Sequence, residues 1–196
     1  MNKYRIIAIC GKSAAGKDTF LQYVIRNNPE VHEIISCTTR PPREGEVEGK
    51  NYFFLTNAQF ADKYLKNEML EVSEFRGWGY GTSLDGINPS LINVGVFNPA
   101  GIHSLMKNPK VDLYVVMVEA SDKVRLLRSL DRETNPDVDE IVRRYMTDKK
   151  DFEDFSQLYE PDYIFDNNRM SWLDIDLASR SIVSLARCHW AEKTNQ

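Results

Sequence analysis

The sequence has little of what would place the chain in a membrane, a disulfide scaffold or on nucleic acid. No segment approaches the roughly 18 consecutive apolar residues of a membrane-spanning helix. The N-terminal apolar run, Ile6–Cys10, holds only five residues, too few for the apolar region of a signal peptide. There are three cysteines, Cys10, Cys37 and Cys188. Their number is odd and they share no metal-ligand spacing, so neither a disulfide framework nor a cysteine metal site is expected. Cys10 and Cys37 lie in strand-like apolar runs and read as buried reduced thiols. Basic charge is not in excess either: the net charge is −4, whereas a general nucleic-acid binder shows a basic face. Between Ser121 and Asp151, eight basic side chains are matched by eight acidic ones, a balance that reads as solvated helix faces. The expectation is a soluble cytoplasmic protein, monomer or homodimer, with no nucleic-acid or membrane partner.

What is present is an apolar content of 42% over 196 residues, enough for one α/β domain with an inserted lobe, or two small domains sharing a core. Apolar runs suited to central parallel strands occur at Ile6–Cys10, Glu33–Cys37, Leu91–Phe97, Val111–Val118 and Tyr163–Phe165. Helical patterns lie at Thr19–Arg26, Ala100–Lys107, Ser121–Leu130, Ile141–Phe155 and from Trp172 to about Trp190. Strands alternating with helices predict an α/β fold with a parallel sheet covered on both faces, a three-layer α/β/α core. Residues Thr39 to Thr82 break the alternation. They hold a polar Pro/Gly/Arg loop, a short strand at Tyr52–Leu55, and a helix opened by the capping-box pattern Thr56-x-x-Gln59. Extended pieces at Leu70–Glu74 and Trp78–Thr82 follow. This reads as a small mixed α+β lobe, residues 38–83, inserted into a core of 1–37, 84–120 and 146–196, with a helical lid at 121–145.

The stretch Gly11-Lys12-Ser13-Ala14-Ala15-Gly16-Lys17-Asp18-Thr19 stands between the first strand and the first helix. That context makes it a phosphate-binding loop. Its glycines let backbone N–H groups curl around phosphate oxygens, and the helix N-terminus favours their charge. Lys17 would reach the β- and γ-phosphates of a nucleotide. The hydroxyl residue that usually follows the lysine and holds Mg²⁺ is replaced by Asp18.

The lobe carries a second constellation. Arg40 and Arg43, three apart on a proline-stiffened loop, can surround a phosphate dianion together with Tyr52, because guanidinium offers fork geometry. Glu71 and the run Gly77-Trp78-Gly79-Tyr80-Gly81-Thr82-Ser83 add a carboxylate, a phenol and hydroxyls. The pattern Ser36-x-Thr38-Thr39-Arg40-Pro41-Pro42-Arg43-x-Gly45-Glu46-Val47-x-Gly49-x-x-Tyr52, with Tyr80-Gly81-Thr82 beyond it, resembles the guanylate kinases over residues 5 to about 168. The resemblance implies transfer of the γ-phosphate of ATP, with Mg²⁺, to GMP or dGMP. It implies that Arg40, Arg43, Tyr52 and Tyr80 hold the acceptor phosphate, and that Ser36, Glu71 and Thr82 read the guanine, with Gly81 beside them. A carboxylate at Glu71 accepts from both N1–H and the 2-amino group, whereas adenine would leave buried polar groups unpaired.

Arg128, Arg132 and Arg144 are similar to the paired lid arginines of that family, which close over the transferring phosphoryl group. Arg144 keeps the Ile-x-x-Arg register better than Arg143. The match loosens in the loop Glu133–Asp139, one residue longer, where Glu133 replaces the usual glycine. Asp162–Asn167 resembles the segment beside the ATP adenine, which adds Asn167. Asn98 stands where the family usually has an acidic residue at the end of the third core strand. One carboxylate is gained at Asp18 and one is lost at Asn98, so Asp18 is expected to take part of the metal's charge balance. The same two departures also resemble the ribose 1,5-bisphosphate phosphokinases. That branch lacks the second clamp arginine, the tyrosine and the base-reading carboxylate that Arg43, Tyr52 and Glu71 supply here. A third reading is a catalytically weak binding module, which would tend to lose Gly11, Gly16, Lys17 or the lid arginines.

Overall fold

The computed structural model describes residues 3–194 except 44, 76, 133 and 170. Five strands form a parallel sheet: in spatial order, Val31–Glu33 (β2), Ile92–Val96 (β7), Tyr4–Cys10 (β1), Val111–Glu119 (β8) and Tyr163–Asp166 (β9). Ile6 to Cys10 are completely buried, which is why β1 reads as an unbroken apolar run rather than an alternation. The chain divides into two compact units, Met1–Ala8 with Glu30–Leu113, and Ile9–Pro29 with Tyr114–Gln196.

In the first unit, β2 and β7 pair in parallel from Val31↔Ile92 to Glu33↔Val94. A second sheet of four strands has the order Phe53–Phe54 (β4), Cys37–Thr38 (β3), Trp78–Ser83 (β6), Met69–Phe75 (β5). Helix Pro99–Lys107 (α3) packs on β5 through the buried Ile102 and Leu105, and Asn108 Nδ2 donates to the Leu70 carbonyl at 2.8 Å. Helix Asn57–Leu65 (α2) opens with the capping box read from its sequence. Thr56 Oγ1 accepts from the Gln59 amide at 3.2 Å, and Gln59 Oε1 accepts from the Thr56 amide at 2.8 Å. Thr56→Ala is expected to cost about 1 kcal/mol. Thermal denaturation should then show a melting temperature about 2–4 °C lower.

In the second unit, β8 and β9 pair in parallel from Val116↔Tyr163 to Glu119↔Asp166. The helices are Lys17–Asn27 (α1), Asp122–Leu130 (α4), Val138–Leu158 (α5) and Trp172–Thr194 (α6). Helix α1 lies against α6, where Asn27 Nδ2 donates to Asp176 Oδ1 at 3.0 Å and Ser179 Oγ at 2.7 Å. Phe20 meets the Phe165 ring at 4.9 Å, and Ile175, Ile182 and Val183 of α6 are buried.

One expected strand is corrected. Glu33–Cys37 is not a single element: β2 ends at Glu33, and β3 begins at Cys37 in the other sheet. Ile34 still donates to the Val94 carbonyl at 2.8 Å, but the Ser36 carbonyl accepts from Phe53 at 2.9 Å. Ile34 and Cys37 are both buried, so the run reads as one apolar segment although its ladder partner changes between them. Cys10 and Cys37 are buried free thiols; burial pushes them up to about 12 and about 11 respectively. Among the described residues, no helix is long and apolar enough to cross a membrane.

Candidate active site

The residues expected to hold a donor nucleotide all lie in the second unit. Between β1 and α1 the chain turns through Gly11 at φ +148° and Gly16 at φ +101°. A Cβ on Gly11 would sit 2.2 Å from the Val118 carbonyl oxygen, and one on Gly16 would sit 2.3 Å from Asn167 Nδ2. Glycine is required at both by space as well as by conformation. Ala14 is left-handed at φ +59° without being glycine, a strain that recurs where backbone must meet a ligand. The N-cap of α1 is Gly16, so no capping side chain takes its first-turn amides.

Lys17 is half-buried and its Nζ donates to the Lys12 carbonyl at 3.2 Å. Desolvation lowers its pKa, against the opposing pull of Asp18 and Asp148. Asn167, nearly fully buried, donates to the Ala15 carbonyl at 2.8 Å, and its Oδ1 is buried without a hydrogen-bond partner. Arg128 Nη2 donates to the Asn167 carbonyl at 2.6 Å, and Nη1 to the carbonyls of Ala14 and Ala15 at 3.4 and 3.3 Å. These partners are uncharged, and desolvation lowers its pKa. Arg144 donates from Nε to Glu140 Oε1 at 2.6 Å, and Arg143 shares the same carboxylate. Burial of Glu140 is outweighed by these two guanidinium groups, which hold it down to about 2. Arg132 is exposed on the turn after α4, Asp18 is exposed on α1, and Thr19 is half-buried. Glu133, the substituted lid glycine, lies outside the described residues. Phe165, Asp166, Asn167, Arg169, Ser171 and Asp174 line a cavity of about 170 Å³.

The residues expected to hold an acceptor all lie in the first unit. Antiparallel pairing of β5 and β6 sets Glu71 opposite Thr82. Thr82 Oγ1 donates to Glu71 Oε1 at 3.0 Å, while Glu71 Oε2 is buried with no hydrogen-bond partner. Only 5% of Glu71 is exposed. Burial raises its pKa to about 7, although the Thr82 hydroxyl and amide pull the other way. Gly81 has no room for a side chain, since a Cβ would come within 2.7 Å of the Glu71 carbonyl oxygen. Asn98 caps α3, accepting from Gly101 N at 2.7 Å and donating to Ser73 Oγ at 3.2 Å. A Cβ on Gly101 would lie 3.3 Å from both Asn98 Oδ1 and Glu71 Oε2, so Asn98 belongs to the surroundings of Glu71.

Arg40 is buried beneath two rings, its Cζ 5.4 Å from the Tyr52 centroid and 5.9 Å from that of Phe54. Its Nη2 bonds both Glu46 oxygens at 2.8 and 2.9 Å. Burial works against its charge, and Glu46 with Tyr80 outweighs that to raise its pKa. Glu46 also accepts from the Arg43 amide at 2.7 Å, leaving the Arg43 side chain exposed. Tyr80 stands edge-on to Tyr52, ring centroids 6.0 Å apart. Ser36 is half-buried at the entry to β3.

A comparison with protein families matches the family model described as guanylate kinase over residues 3–177. The chain belongs to the guanylate kinase family. The guanylate kinase of Shouchella clausii is 30% identical over 172 residues, covering 85% of this chain and 82% of that protein. That of Prochlorococcus marinus is 48% identical over 77 residues, an alignment spanning 39% of this chain and 42% of that relative. Among solved structures, a guanylate kinase from Anaplasma phagocytophilum matches at a TM-score of 0.60 and 19% identity, over 96% of this chain and 87% of that one. This likeness shows that the fold is shared with a guanylate kinase.

Two side chains read as solvated charge are corrected by the structure: Arg125 is 2% and Asp148 7% exposed. Asp148 Oδ2 accepts from the Ser13 amide at 2.6 Å, and Arg125 Nη1 donates to the Ser13 carbonyl at 3.1 Å. They are buried because each neutralises the other, at 3.4 Å. Glu46, which holds Arg40, was visible only as one residue of the lobe motif.

Proposed function

We propose that the chain transfers the γ-phosphoryl group of ATP to GMP or dGMP, in line and without a covalent intermediate. The observation that carries the acceptor is Glu71, one oxygen held by Thr82 and the other buried without a partner. A buried unpartnered acceptor is costly, and guanine offers two adjacent donors, N1–H and the 2-amino group, that would satisfy it. Ser36 and Thr82 can turn hydroxyls to O6. Arg40, Arg43, Tyr52 and Tyr80 are assigned to the acceptor phosphate, with Glu46 keeping Arg40 in place. For the donor, the loop amides of Gly11–Lys17 other than that of Ser13, together with the Lys17 ammonium, take the ATP phosphates. Arg128, Arg132 and Arg144 neutralise charge on the transferring group, and Asn167 borders the cavity offered to the adenine. In this reading residues 38–83 form the acceptor lobe and 121–145 the lid.

Mg²⁺ fits what the chain offers. Among the described residues, no group of three or more His, Cys, Asp or Glu side chains stands together as a metal cage. Mg²⁺ is commonly held by one or two carboxylates, phosphate oxygens and water, and Asp18 on the first turn of α1 is the carboxylate we assign to it. When bound with ATP, the ion supplies neutralisation of phosphate charge. Asp18→Ala is expected to raise the Mg²⁺ concentration for half-maximal activity about tenfold, with the KM for GMP unchanged. An unaltered Mg²⁺ requirement would remove Asp18 from the assignment.

The function is tested by an ATP/Mg²⁺ coupled assay across GMP, dGMP, AMP, dTMP, CMP and ribose 1,5-bisphosphate. Turnover confined to guanine nucleotides is the expected result. Turnover of ribose 1,5-bisphosphate in place of GMP would overturn the reading of Glu71. ATP binding without turnover on any acceptor would favour a binding module.

A further inference from the structure

The Arg125–Asp148 pair calls for an explanation beyond stability. A buried ion pair gives up hydration on both partners, and well-packed apolar residues of similar volume often serve folding as well or better. This pair does something apolar residues cannot. Asp148 takes the amide of Ser13 at 2.6 Å and Arg125 takes its carbonyl at 3.1 Å, so both backbone groups of one loop residue are held by side chains. The next residue is Ala14, left-handed at φ +59°, a conformation that persists only where surroundings enforce it.

The pair is itself held. Arg125 Nη2 donates to Asp122 Oδ1 at 2.9 Å, the Tyr145 hydroxyl donates to Asp122 Oδ2 at 2.7 Å, and the Arg125 guanidinium lies 5.4 Å from the Tyr145 ring centroid. Arg125 precedes Arg128 by three positions on α4, and Asp148 follows Arg144 by four on α5. Each partner therefore shares a helix face with an arginine assigned to the transferring phosphoryl group.

We propose that Arg125 and Asp148 are positioning residues for the donor nucleotide. They clamp Ser13, and with it the strained Ala14, in the conformation that receives the ATP phosphates, and they register α4 and α5 on that loop. The clamp rests on the ATP reading given above.

The test uses full-length Asp148→Asn and Arg125→Met. Calorimetry measures MgATP affinity without acceptor at about pH 7.5, and the coupled assay measures kcat and KM for MgATP and for GMP. Each variant is expected to bind MgATP about tenfold more weakly, with KM for GMP within about twofold of the parent. Asp148→Glu and Arg125→Lys, which keep each charge, should recover part of that affinity. Parental MgATP affinity in Asp148→Asn overturns the proposal, as does an equal loss of affinity for MgATP and for GMP, which is what a general loosening of the fold would give. A parent that binds MgATP without phosphorylating GMP removes the kinase reading and leaves the clamp. A parent with no affinity for MgATP removes both.

Discussion

Lys17→Met is expected to lower kcat/KM for ATP-dependent phosphorylation by on the order of 10³-fold, while making the ligand-free chain more resistant to heat. The first effect follows from removing the ammonium of the phosphate loop that is assigned to the ATP phosphates. Phosphoryl transfer gives a protein little covalent work, so a cation that follows the developing charge carries much of the rate. The second follows from the environment of Lys17, whose pKa is lowered by desolvation despite Asp18 and Asp148. Below that lowered pKa the lysine is charged in both folded and unfolded chains, and only the folded chain bears the desolvation. The burden disappears as pH rises past the ordinary lysine value of about 10.4, where the unfolded chain also loses the proton. Melting temperatures followed from pH 7 to 11 should therefore show the Met variant ahead at neutral pH and level with the parent at the top of the range. Saturating MgATP should reverse the order. A Met variant that melts lower at pH 7 without ligand would contradict the account.

Glu71→Gln is expected to lower kcat/KM for GMP by on the order of 10³-fold, because a site built to pair donors discriminates strongly when one partner is changed. MgATP affinity should be unchanged. In the parent, the carboxylate titrates at about 7 because it is buried, and only its ionised form accepts from both guanine donors. GMP affinity should accordingly rise between pH 5.5 and 8, and the glutamine variant should lose that slope. Stability moves oppositely. The folded pKa of about 7 stands above the ordinary 4.5, so protonated Glu71 is well accommodated below pH 4.5 and stability falls as pH rises through 7. Each tenfold difference in proton affinity is about 1.4 kcal/mol. The glutamine variant should thus gain on the order of 3 kcal/mol at pH 8 and almost nothing at pH 4. Denaturant melts at the two pH values measure it; equal gains would mean that Glu71 is not desolvated in the free chain.

The parts of this molecule legible in sequence were those written in consecutive residues. The phosphate loop follows from glycine spacing between a buried strand and a helix, and the lobe motif from Ser36 to Tyr52 is a continuous string. The Thr56–Gln59 cap is likewise local, and it formed as read. Contacts made by distant residues were not legible. Arg125 and Asp148 are 23 positions apart on two helices, and charge counting cannot distinguish a buried pair from two solvated faces. The division of Glu33–Cys37 between two sheets depends on which carbonyl meets which amide, whereas hydrophobicity reports only burial. Asn98 was read as a missing charge, yet its side chain caps α3 and reaches Ser73. Glu71 was singled out by type and company. Its pairing with Thr82, and the oxygen left unpartnered, needed the register of β5 on β6.

The unequal state of the three thiols has a practical consequence. Cys10 and Cys37 are buried, with proton affinities raised by burial to about 12 and about 11, whereas Cys188 is exposed on α6. Only the thiolate attacks an electrophile, so a maleimide dye near neutral pH has one position to find in the folded chain. The sequence already carries a single addressable label, on the helix that packs against the one leading out of the phosphate loop.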